Sequence, residues 1–263
     1  MNWTLAVTGK GGVGKTTFAA LAVRWLAERA FTPVLAVDAD PNTCLDVLLG
    51  VKAVCSVGAV REEAKQIAQS QSAGGMGKQE LLDLKIQEAL LEAERFDLIA
   101  MGRPEGPGCY CYANNVLRAV LGRLAGRYPA VVIDNEAGLE NLSRRTVQRA
   151  DWLVFVADSS ARGLLTARRL FDLAGEMQIA AGATGLVLNR VRDGVCLERA
   201  RELFAGTPVE ILGALPEDAG IAAQDARGES VFGLAAENPV LAAAGKILER
   251  IAPQRQLGTL HGR

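Results

Sequence analysis

The feature that most constrains the fold is a short apolar strand that runs directly into a glycine-rich turn near the amino terminus. Residues 4–17 read TLAVTGKGGVGKTT. Four of them fit the pattern G-x-x-x-x-G-K-[ST], namely Gly9, Gly14, Lys15 and Thr16. An apolar helical stretch follows. This order predicts a phosphate-binding loop, because glycine N–H groups approach phosphate oxygens closely and the helix adds the positive end of its dipole.

The positions of the loop carry distinct expected contacts. Lys15 is expected to reach the β- and γ-phosphates of a nucleotide, and the Thr16 hydroxyl is expected to ligate Mg²⁺. The rest of the predicted nucleotide cradle comprises Gly9, Gly11, Gly12, Val13, Gly14 and Thr17. The loop therefore predicts a Mg²⁺-nucleotide site.

A lysine directly after the first glycine is not required by an ordinary phosphate-binding loop. Taken alone, Lys10 could be a solvated surface charge. Residues 10–17, KGGVGKTT, nevertheless resemble the deviant Walker A motif of the MinD/ParA/nitrogenase-iron-protein superfamily. In that superfamily the extra lysine reaches across a nucleotide-sandwich dimer to the partner's phosphates. The resemblance implies ATP as the nucleotide, a homodimer, and catalytic roles for Lys10 and Lys15.

Short apolar runs alternate with helical patterns along the whole chain. The predicted strands are 4–8, 33–38, 96–101, 129–134, 152–157, 184–190 and 209–214. Continuous apolar runs of this length are typical of strands buried on both faces. We therefore predict an α/β fold, a single P-loop NTPase domain over 1–253 with a mainly parallel sheet covered by helices on both faces. Residues 51–80 are expected to be a surface insertion, and 254–263 a short disordered tail.

Composition narrows the possible partners and the cell compartment. A net charge of −1 argues against a strongly basic nucleic-acid footprint, although it leaves a local patch possible. No apolar run approaches the ~18 residues of a membrane span, and no signal peptide precedes the first strand. We expect a cytoplasmic protein that binds neither membrane nor nucleic acid. Its cysteines are then core residues or metal ligands rather than disulfides: Cys44, Cys55, Cys109, Cys111 and Cys196.

Two aspartates close the second predicted strand, where residues 37–42 read VDADPN. Carboxylates at the carboxyl edge of a parallel sheet lie where ligands bind in open α/β folds. An Asp-Pro pair also starts many turns, so a structural role stays open. The superfamily resemblance implies that Asp38 joins the water shell of Mg²⁺ and that Asp40 orients or deprotonates the attacking water.

The fourth predicted strand ends in a second acidic motif, since residues 131–138 read VVIDNEAG. An apolar strand followed by an aspartate is the arrangement of a Walker B motif, in which Asp134 would hold Mg²⁺ through water. Gly138 could offer an N–H group to the γ-phosphate and so act as a switch. Asn135 and Glu136 are more polar than the resemblance leads us to expect.

Two later turns are candidates for contacts with the base. Residues 188–190 read LNR and residues 215–218 read LPED. The resemblance implies that Asn189 contacts adenine and that the loop with Pro216 and Glu217 frames it. An asparagine amide offers the necessary donor and acceptor, although a turn role for Asn189 stays open. The absence of G-x-G-x-x-G counts against a dinucleotide cofactor.

A cysteine pair follows the third predicted strand, where residues 101–115 read MGRPEGPGCYCYANN. A helix is predicted from about residue 112, which places Cys109 and Cys111 at its amino terminus. The helix dipole there favours thiolate over thiol, so the pair are candidate metal ligands. The alternative is that both are small apolar residues.

Two thiolates alone do not complete a tetrahedral metal site. The only histidine, His261, lies in the predicted tail. A two-fold dimer would supply four sulfurs from Cys109, Cys111 and their symmetry mates, a set suited to Ni²⁺, Zn²⁺ or an iron–sulfur cluster. The dimer implied by Lys10 and the cysteine pair thus support each other.

Three features together resemble the nickel-associated maturation ATPases of carbon monoxide dehydrogenase. They are the deviant Walker A motif, the sequence DADPNTCL at 38–45, and the Cys-Tyr-Cys helix entry. The resemblance implies an ATP-hydrolysing nickel-insertion chaperone with Ni²⁺ or Zn²⁺ at the dimer interface. Its target would be apo carbon monoxide dehydrogenase.

Two other classes share the motif. An electron-transfer protein like the nitrogenase iron protein would place one cluster cysteine after the Walker B aspartate, yet residues 134–150 contain none. A positioning ATPase of the MinD or ParA type would need a basic amphipathic carboxyl-terminal helix for membranes or a basic face for DNA. Residues 238–251 are amphipathic but nearly neutral, which predicts packing on the sheet instead.

Overall fold

The computed structural model describes residues 2–29, 31–53, 88–102, 117–118, 121–138 and 150–253. The strands in this part of the chain are β1 Trp3–Gly9, β2 Val34–Ala39, β3 Leu90–Glu92, β4 Phe96–Ala100, β5 Ala130–Asn135, β6 Ala150–Asp158, β7 Ala181–Val191 and β8 Val209–Pro216. The helices that lie wholly within these residues are α1 Lys15–Ala27, α2 Leu45–Leu49, α3 Ala161–Glu176, α4 Val195–Leu203, α5 Ala219–Arg227 and α6 Pro239–Ile251. Short 3₁₀ turns occupy Ala125–Arg127 and Val231–Gly233.

The described strands form one sheet in the order β3-β4-β2-β5-β1-β6-β7-β8. All neighbouring pairs are parallel except β3 with β4, which is antiparallel. Strand β1 lies between β5 and β6, so the glycine-rich turn leaves the sheet at the middle of its carboxyl edge. Ligands of open α/β sheets bind at this edge.

Helices cover both faces of the sheet, and β1 shows how the sequence divides between them. Leu5 and Val7 belong to a core shared with α1 and α6, whereas Ala6 faces the opposite core beneath α3 and α4. A third cluster joins β2, β4 and β5 to Leu117, Leu121, Leu124 and Tyr128. Because both faces are buried, the central strands carry continuous apolar runs rather than alternating ones.

Helix α1 is apolar on nearly every side because it lies between the sheet and helices α2 and α6. It begins directly after Gly14, whose backbone is left-handed at φ 93°, and no side chain caps its first turn. The first N–H groups of the helix therefore remain free of a side-chain cap, as an anion site at a helix terminus requires.

Helix α6 confirms the packing predicted for residues 238–251. Asn238 caps it by accepting hydrogen bonds from the N–H groups of Val240 and Leu241, and Pro239 occupies the first turn. Its apolar residues pack on β8 and α1: Val240, Leu241, Ala244, Ile247, Leu248 and Ile251. Among the helices of the described residues, none combines the length and hydropathy that a bilayer crossing requires.

The predicted α/β architecture is confirmed, and each of the predicted strands is present with shifted ends. Strand β3 was not predicted, because its three residues are too short for a strand pattern. The predicted tail at 254–263 and most of the predicted insertion at 51–80 lie outside the described residues.

Candidate nucleotide site

The glycine-rich turn, residues 9–14, has a backbone that side chains would not allow. Gly9, Gly12 and Gly14 have φ values of 155°, 77° and 93°. A Cβ on Gly9 would lie 2.3 Å from the Val156 carbonyl oxygen, and one on Gly14 would lie 2.1 Å from Asn189 Nδ2. The turn therefore presses against β6 and β7 and leaves its outer side open for a ligand.

Lys15 lies where the turn meets α1. Its side chain is largely buried, and Nζ donates a hydrogen bond to the Lys10 carbonyl at 3.3 Å. The bond holds the ammonium against the turn, where the sequence predicts a phosphate. The Lys10 side chain is exposed, as a residue that reaches a second protomer would have to be.

Asp38 and Asp134 face each other across β2 and β5. The two residues are direct partners in the register of these strands, and both are almost completely buried. Burial raises the pKa of Asp134 to about 7, with repulsion from Asp38 as the next cause, while Thr16 and Lys15 lower it. Burial likewise raises the pKa of Asp38 to about 6. The pair is thus an acidic centre whose negative charge Thr16 and Lys15 offset only in part.

The donor set around this pair fits Mg²⁺. Asp134 Oδ1 is buried and makes no hydrogen bond, and the Thr16 hydroxyl bonds the same carboxylate. Carboxylate and hydroxyl oxygens are hard ligands, which Mg²⁺ prefers alongside water and phosphate oxygens. No group of three or more His, Cys, Asp or Glu side chains with a metal-binding arrangement occurs within the described residues. Two carboxylates are nevertheless enough for a cation whose other ligands are phosphate and water.

The Asp38 carboxylate also fixes the loop that follows β2. Oδ1 accepts a hydrogen bond from the Asp40 N–H at 3.0 Å, and Oδ2 accepts from the N–H groups of Cys44 and Leu45, both at 2.9 Å. Asp40 in turn uses Oδ1 to accept from the Asn42 backbone and side chain. The predicted catalytic Asp40 therefore also serves the turn role that the sequence left open.

The segment after β5 is tied to β1. Asn135 Nδ2 donates to the Val7 carbonyl at 2.9 Å, and the Gly138 N–H donates to the Gly9 carbonyl at 3.1 Å. The Thr8 hydroxyl donates to the Gly138 carbonyl at 2.9 Å. The structure thus gives the unexpectedly polar Asn135 a role, because its amide continues the β1–β5 pairing beyond the last backbone partners.

Asn189 lies beneath the glycine-rich turn. Nδ2 donates to the Val13 carbonyl at 2.8 Å, and Oδ1 accepts from the Arg190 N–H at 2.9 Å. The adjacent Arg190 was not predicted as a site residue. It has a left-handed φ of 55°, and its guanidinium donates to the Gly12 carbonyl at 3.3 Å.

An open cavity of about 340 Å³ lies beside the turn. Its lining combines predicted and unpredicted residues: Gly12, Gly14, Lys15, Thr16, Thr17, Thr43, Cys44, Val47, Leu48, Arg190 and Asp225. The motifs predicted the first five, whereas Asp225 comes from α5, more than 200 residues after the turn, and carries no sequence signal. Lys15 and Arg190 bring positive charge to this lining, Asp225 brings negative charge, and Val47 and Leu48 are apolar. Such a lining suits a ligand with both phosphate and neutral parts.

The predicted base-framing residues lie at the end of β8. Pro216 pairs with Val191, and the Glu217 N–H donates to the Val191 carbonyl at 3.0 Å. Both carboxylate oxygens of Glu217 accept hydrogen bonds from the Arg192 guanidinium, which lowers the pKa of Glu217. This exposed ion pair holds the loops after β7 and β8 together at the carboxyl edge.

Cys109 and Cys111 lie outside the described residues. Of the cysteines that the structure does describe, Cys196 is buried in α4, and Cys44 is exposed at the start of α2. Burial raises the pKa of the Cys44 thiol, and the nearby Asp38 raises it further, so this cysteine is a poor thiolate.

Comparison with known proteins gives a consistent result. Residues 4–231 match the CobQ/CobB/MinD/ParA nucleotide binding domain. An uncharacterized ATP-binding protein of Methanocaldococcus jannaschii is 41% identical over 251 residues, which cover 94% of this chain and 97% of that protein. The carbon monoxide dehydrogenase accessory protein CooC of Rhodospirillum rubrum is 30% identical over 264 residues, with coverage of 95% and 97%.

The solved structures agree in fold. The septum site-determining protein MinD of Pyrococcus horikoshii, complexed with Mg-ADP, superposes with a TM-score of 0.71 at 22% identity, and the match covers 96% of each chain. The architecture is therefore that of a P-loop nucleotide-binding fold. With the match over residues 4–231 and the glycine-rich turn at its centre, the chain belongs to the CobQ/CobB/MinD/ParA family of nucleotide-binding domains.

Proposed function

We propose that this protein is a Mg²⁺-dependent ATPase that delivers nickel to carbon monoxide dehydrogenase. The family implies ATP binding and hydrolysis. The observation that carries the finer proposal is the similarity to the accessory protein CooC along nearly the whole chain, together with the pair Cys109 and Cys111. The glycine-rich turn, Lys15 and the acidic pair support the ATPase part of the proposal, because their arrangement fits a phosphate ligand and Mg²⁺.

The described residues divide the hydrolysis reaction among them. Lys15 would neutralise the β- and γ-phosphates, and Lys10 of each protomer would contact the partner's nucleotide. Thr16, Asp38 and Asp134 would hold Mg²⁺, which when bound offsets the charge of the phosphates. Asp40 would orient the water, with Oδ2 as the contacting atom because Asn42 occupies Oδ1.

The chemistry is a displacement at phosphorus. The water oxygen forms a bond to the γ-phosphorus, the bond to the β–γ bridging oxygen breaks, and Asp40 takes the proton of the water. ADP and phosphate leave. The Gly138 N–H would contact the γ-phosphate only while it is present, so the segment after β5 would report the difference between ATP and ADP.

The base would lie beyond the turn. Asn189 retains one amide hydrogen that the Val13 carbonyl does not use, and this hydrogen is the group that an acceptor on adenine would take. Pro216 and Glu217 would frame the ring from the end of β8. Arg192 would stabilise that frame, because it holds the Glu217 carboxylate.

Metal and nucleotide would be two ligands of one dimer. Four thiolates from Cys109, Cys111 and their symmetry mates would carry Ni²⁺ as cargo, with Zn²⁺ as the competing ion. ATP binding would draw the protomers together. Hydrolysis would change the arrangement of the four thiolates, so that nickel is transferred to the apo-enzyme in the cytoplasm. Such coupling is reciprocal, so each ligand would change the affinity for the other.

Native mass spectrometry of the apo-protein titrated with Ni²⁺, with and without Mg-ATP, tests the proposal. We expect one nickel per dimer in the unchanged protein and none in Cys109→Ser or Cys111→Ser. Cys196→Ser is the matched control, because that buried thiol donates to the Asp193 carbonyl and a hydroxyl keeps the bond.

Two results would contradict the proposal. Unchanged nickel binding in Cys109→Ser and Cys111→Ser would exclude the shared thiolate site. Equal nickel affinity with and without a non-hydrolysable ATP analogue would exclude the coupling, while leaving the ATPase assignment in place.

A further inference from the structure

The link between Gly138 and β1 uses both polar groups of the Gly138 backbone. Its N–H donates to the Gly9 carbonyl at 3.1 Å, and its carbonyl accepts from the Thr8 hydroxyl at 2.9 Å. Thr8 is fully buried in β1, between β5 and β6, so its hydroxyl has little access to water as an alternative partner. We call these two bonds the clasp: they join Thr8 and Gly9 of β1 to Gly138 in the segment after β5.

Gly138 cannot keep the clasp and contact a γ-phosphate at the same time. A backbone N–H donates one strong hydrogen bond, and here that bond goes to Gly9. For the same N–H to contact a γ-phosphate, the Gly138 peptide has to leave the Gly9 carbonyl. Gly138 has a left-handed φ of 92°, and a Cβ there would meet nothing within 4 Å. As a glycine, the residue therefore has the backbone freedom for such a movement.

We propose that Thr8 is a latch that holds Gly138 in its γ-phosphate-free position and thereby lowers the affinity for ATP relative to ADP. The proposal rests on the γ-phosphate contact given to Gly138 in the proposed function. Thr8 is a positioning residue here, because it acts through Gly138 and needs no contact with the nucleotide.

The expected effect follows from the equilibrium between the latched and released positions. ATP binds through the released position, so each stabilisation of the latch reduces the apparent affinity for ATP. ADP has no γ-phosphate and is indifferent to this equilibrium. Removing one neutral hydrogen bond should raise the affinity for an ATP analogue roughly two- to tenfold and leave the affinity for ADP unchanged.

The test compares Thr8→Val with Thr8→Ser. Valine keeps the shape of threonine but has no hydroxyl, whereas serine keeps the hydroxyl. Affinities for AMP-PNP and ADP are measured by isothermal titration calorimetry with Mg²⁺, after thermal unfolding has shown that each variant folds. We expect a higher ratio of AMP-PNP to ADP affinity in Thr8→Val and an unchanged ratio in Thr8→Ser.

The possible outcomes separate the latch from the proposed function. An unchanged ratio in Thr8→Val, or an equal loss of both affinities, would overturn the latch and leave Thr8 as a structural residue. Identical exchange of the Gly138 amide in the ADP and AMP-PNP complexes of the unchanged protein would overturn γ-phosphate sensing itself.

A second measurement needs no variant. Hydrogen exchange followed by NMR should show that the Gly138 amide is protected from exchange in the ADP complex. In the AMP-PNP complex, where its partner changes, the exchange rate of this amide should differ. Rapid exchange of this amide in the ADP complex would overturn the latch, because the N–H would then lack its Gly9 partner.

Discussion

Replacing Asp134 with asparagine should stabilise the metal-free protein while abolishing its hydrolytic activity. Asp134 is buried opposite Asp38, and burial followed by that repulsion raises its pKa from 3.8 to about 7. The folded state then binds a proton more tightly than the unfolded state between these two values. Stability therefore falls as the pH rises through this window, and the full penalty is present above about pH 7.

The size of the penalty follows from the two pKa values. Each pH unit between them is worth about 1.4 kcal/mol, so the ionised carboxylate destabilises the fold by about 4 kcal/mol at pH 8. Less than half of this remains at pH 5, where most folded molecules already carry the proton. Asparagine has the same shape without the charge. We therefore expect Asp134→Asn to raise the thermal midpoint by roughly 10 °C at pH 8 and by less than half as much at pH 5.

The assay is thermal unfolding in a chelating buffer at the two pH values, alongside ATP hydrolysis with Mg²⁺. Asp38→Asn is the contrasting variant. The Asp38 carboxylate accepts three backbone N–H bonds, and an amide NH₂ group would face at least one of those donors. Asp38→Asn should therefore gain less stability than Asp134→Asn at pH 8, because the lost N–H bonds oppose the removal of a carboxylate whose pKa burial raises only to about 6. A gain for Asp134→Asn that is absent, or equal at both pH values, would refute the assignment of a buried, uncompensated charge.

Two further pairs of variants test the packing around the site. Gly14→Ala should weaken ATP binding more than Gly12→Ala in calorimetry. Both positions have φ above 70°, but only at Gly14 would the Cβ meet the Asn189 amide, at 2.1 Å. Arg24→Met should lower the free energy of unfolding in urea by about 2–4 kcal/mol, since the buried guanidinium bonds two carbonyls of the 231–234 turn. Arg29→Met, which removes an exposed cation above Trp25, should lose less than about 1 kcal/mol. Equal effects within either pair would contradict these explanations.

The fold was largely predictable from the sequence because its strands are buried on both faces. Such strands are continuous apolar runs, and the chain places helical patterns between them. Strand β3 shows the limit of this reasoning. It is a three-residue antiparallel edge strand that depends on pairing with β4 rather than on its own pattern.

The site was predictable where a local motif determines the backbone, and not where distant segments meet. The glycine pattern and the aspartates near the ends of β2 and β5 predicted residues that the structure does bring together, since Asp134 lies near Thr16, Lys15 and Asp38. Arg190 and Asp225 have no such motif. Arg190 donates to the Gly12 carbonyl and has a left-handed backbone at the point where the pairing of β7 with β8 shifts register.

The pair Asp38 and Asp134 is itself an unfavourable arrangement in the nucleotide-free chain, and its presence needs an explanation. Two carboxylates in register on adjacent strands repel each other and lose hydration, and Lys15 offsets only part of that loss. A chain selected for stability alone would place an apolar pair at such a position. Asp134 Oδ1, buried without a partner, is thus better explained as a group whose partner arrives with the substrate. Under the proposed function, binding of Mg²⁺ and ATP would relieve this unfavourable arrangement and would thereby couple the ligand to the segments that follow β2 and β5.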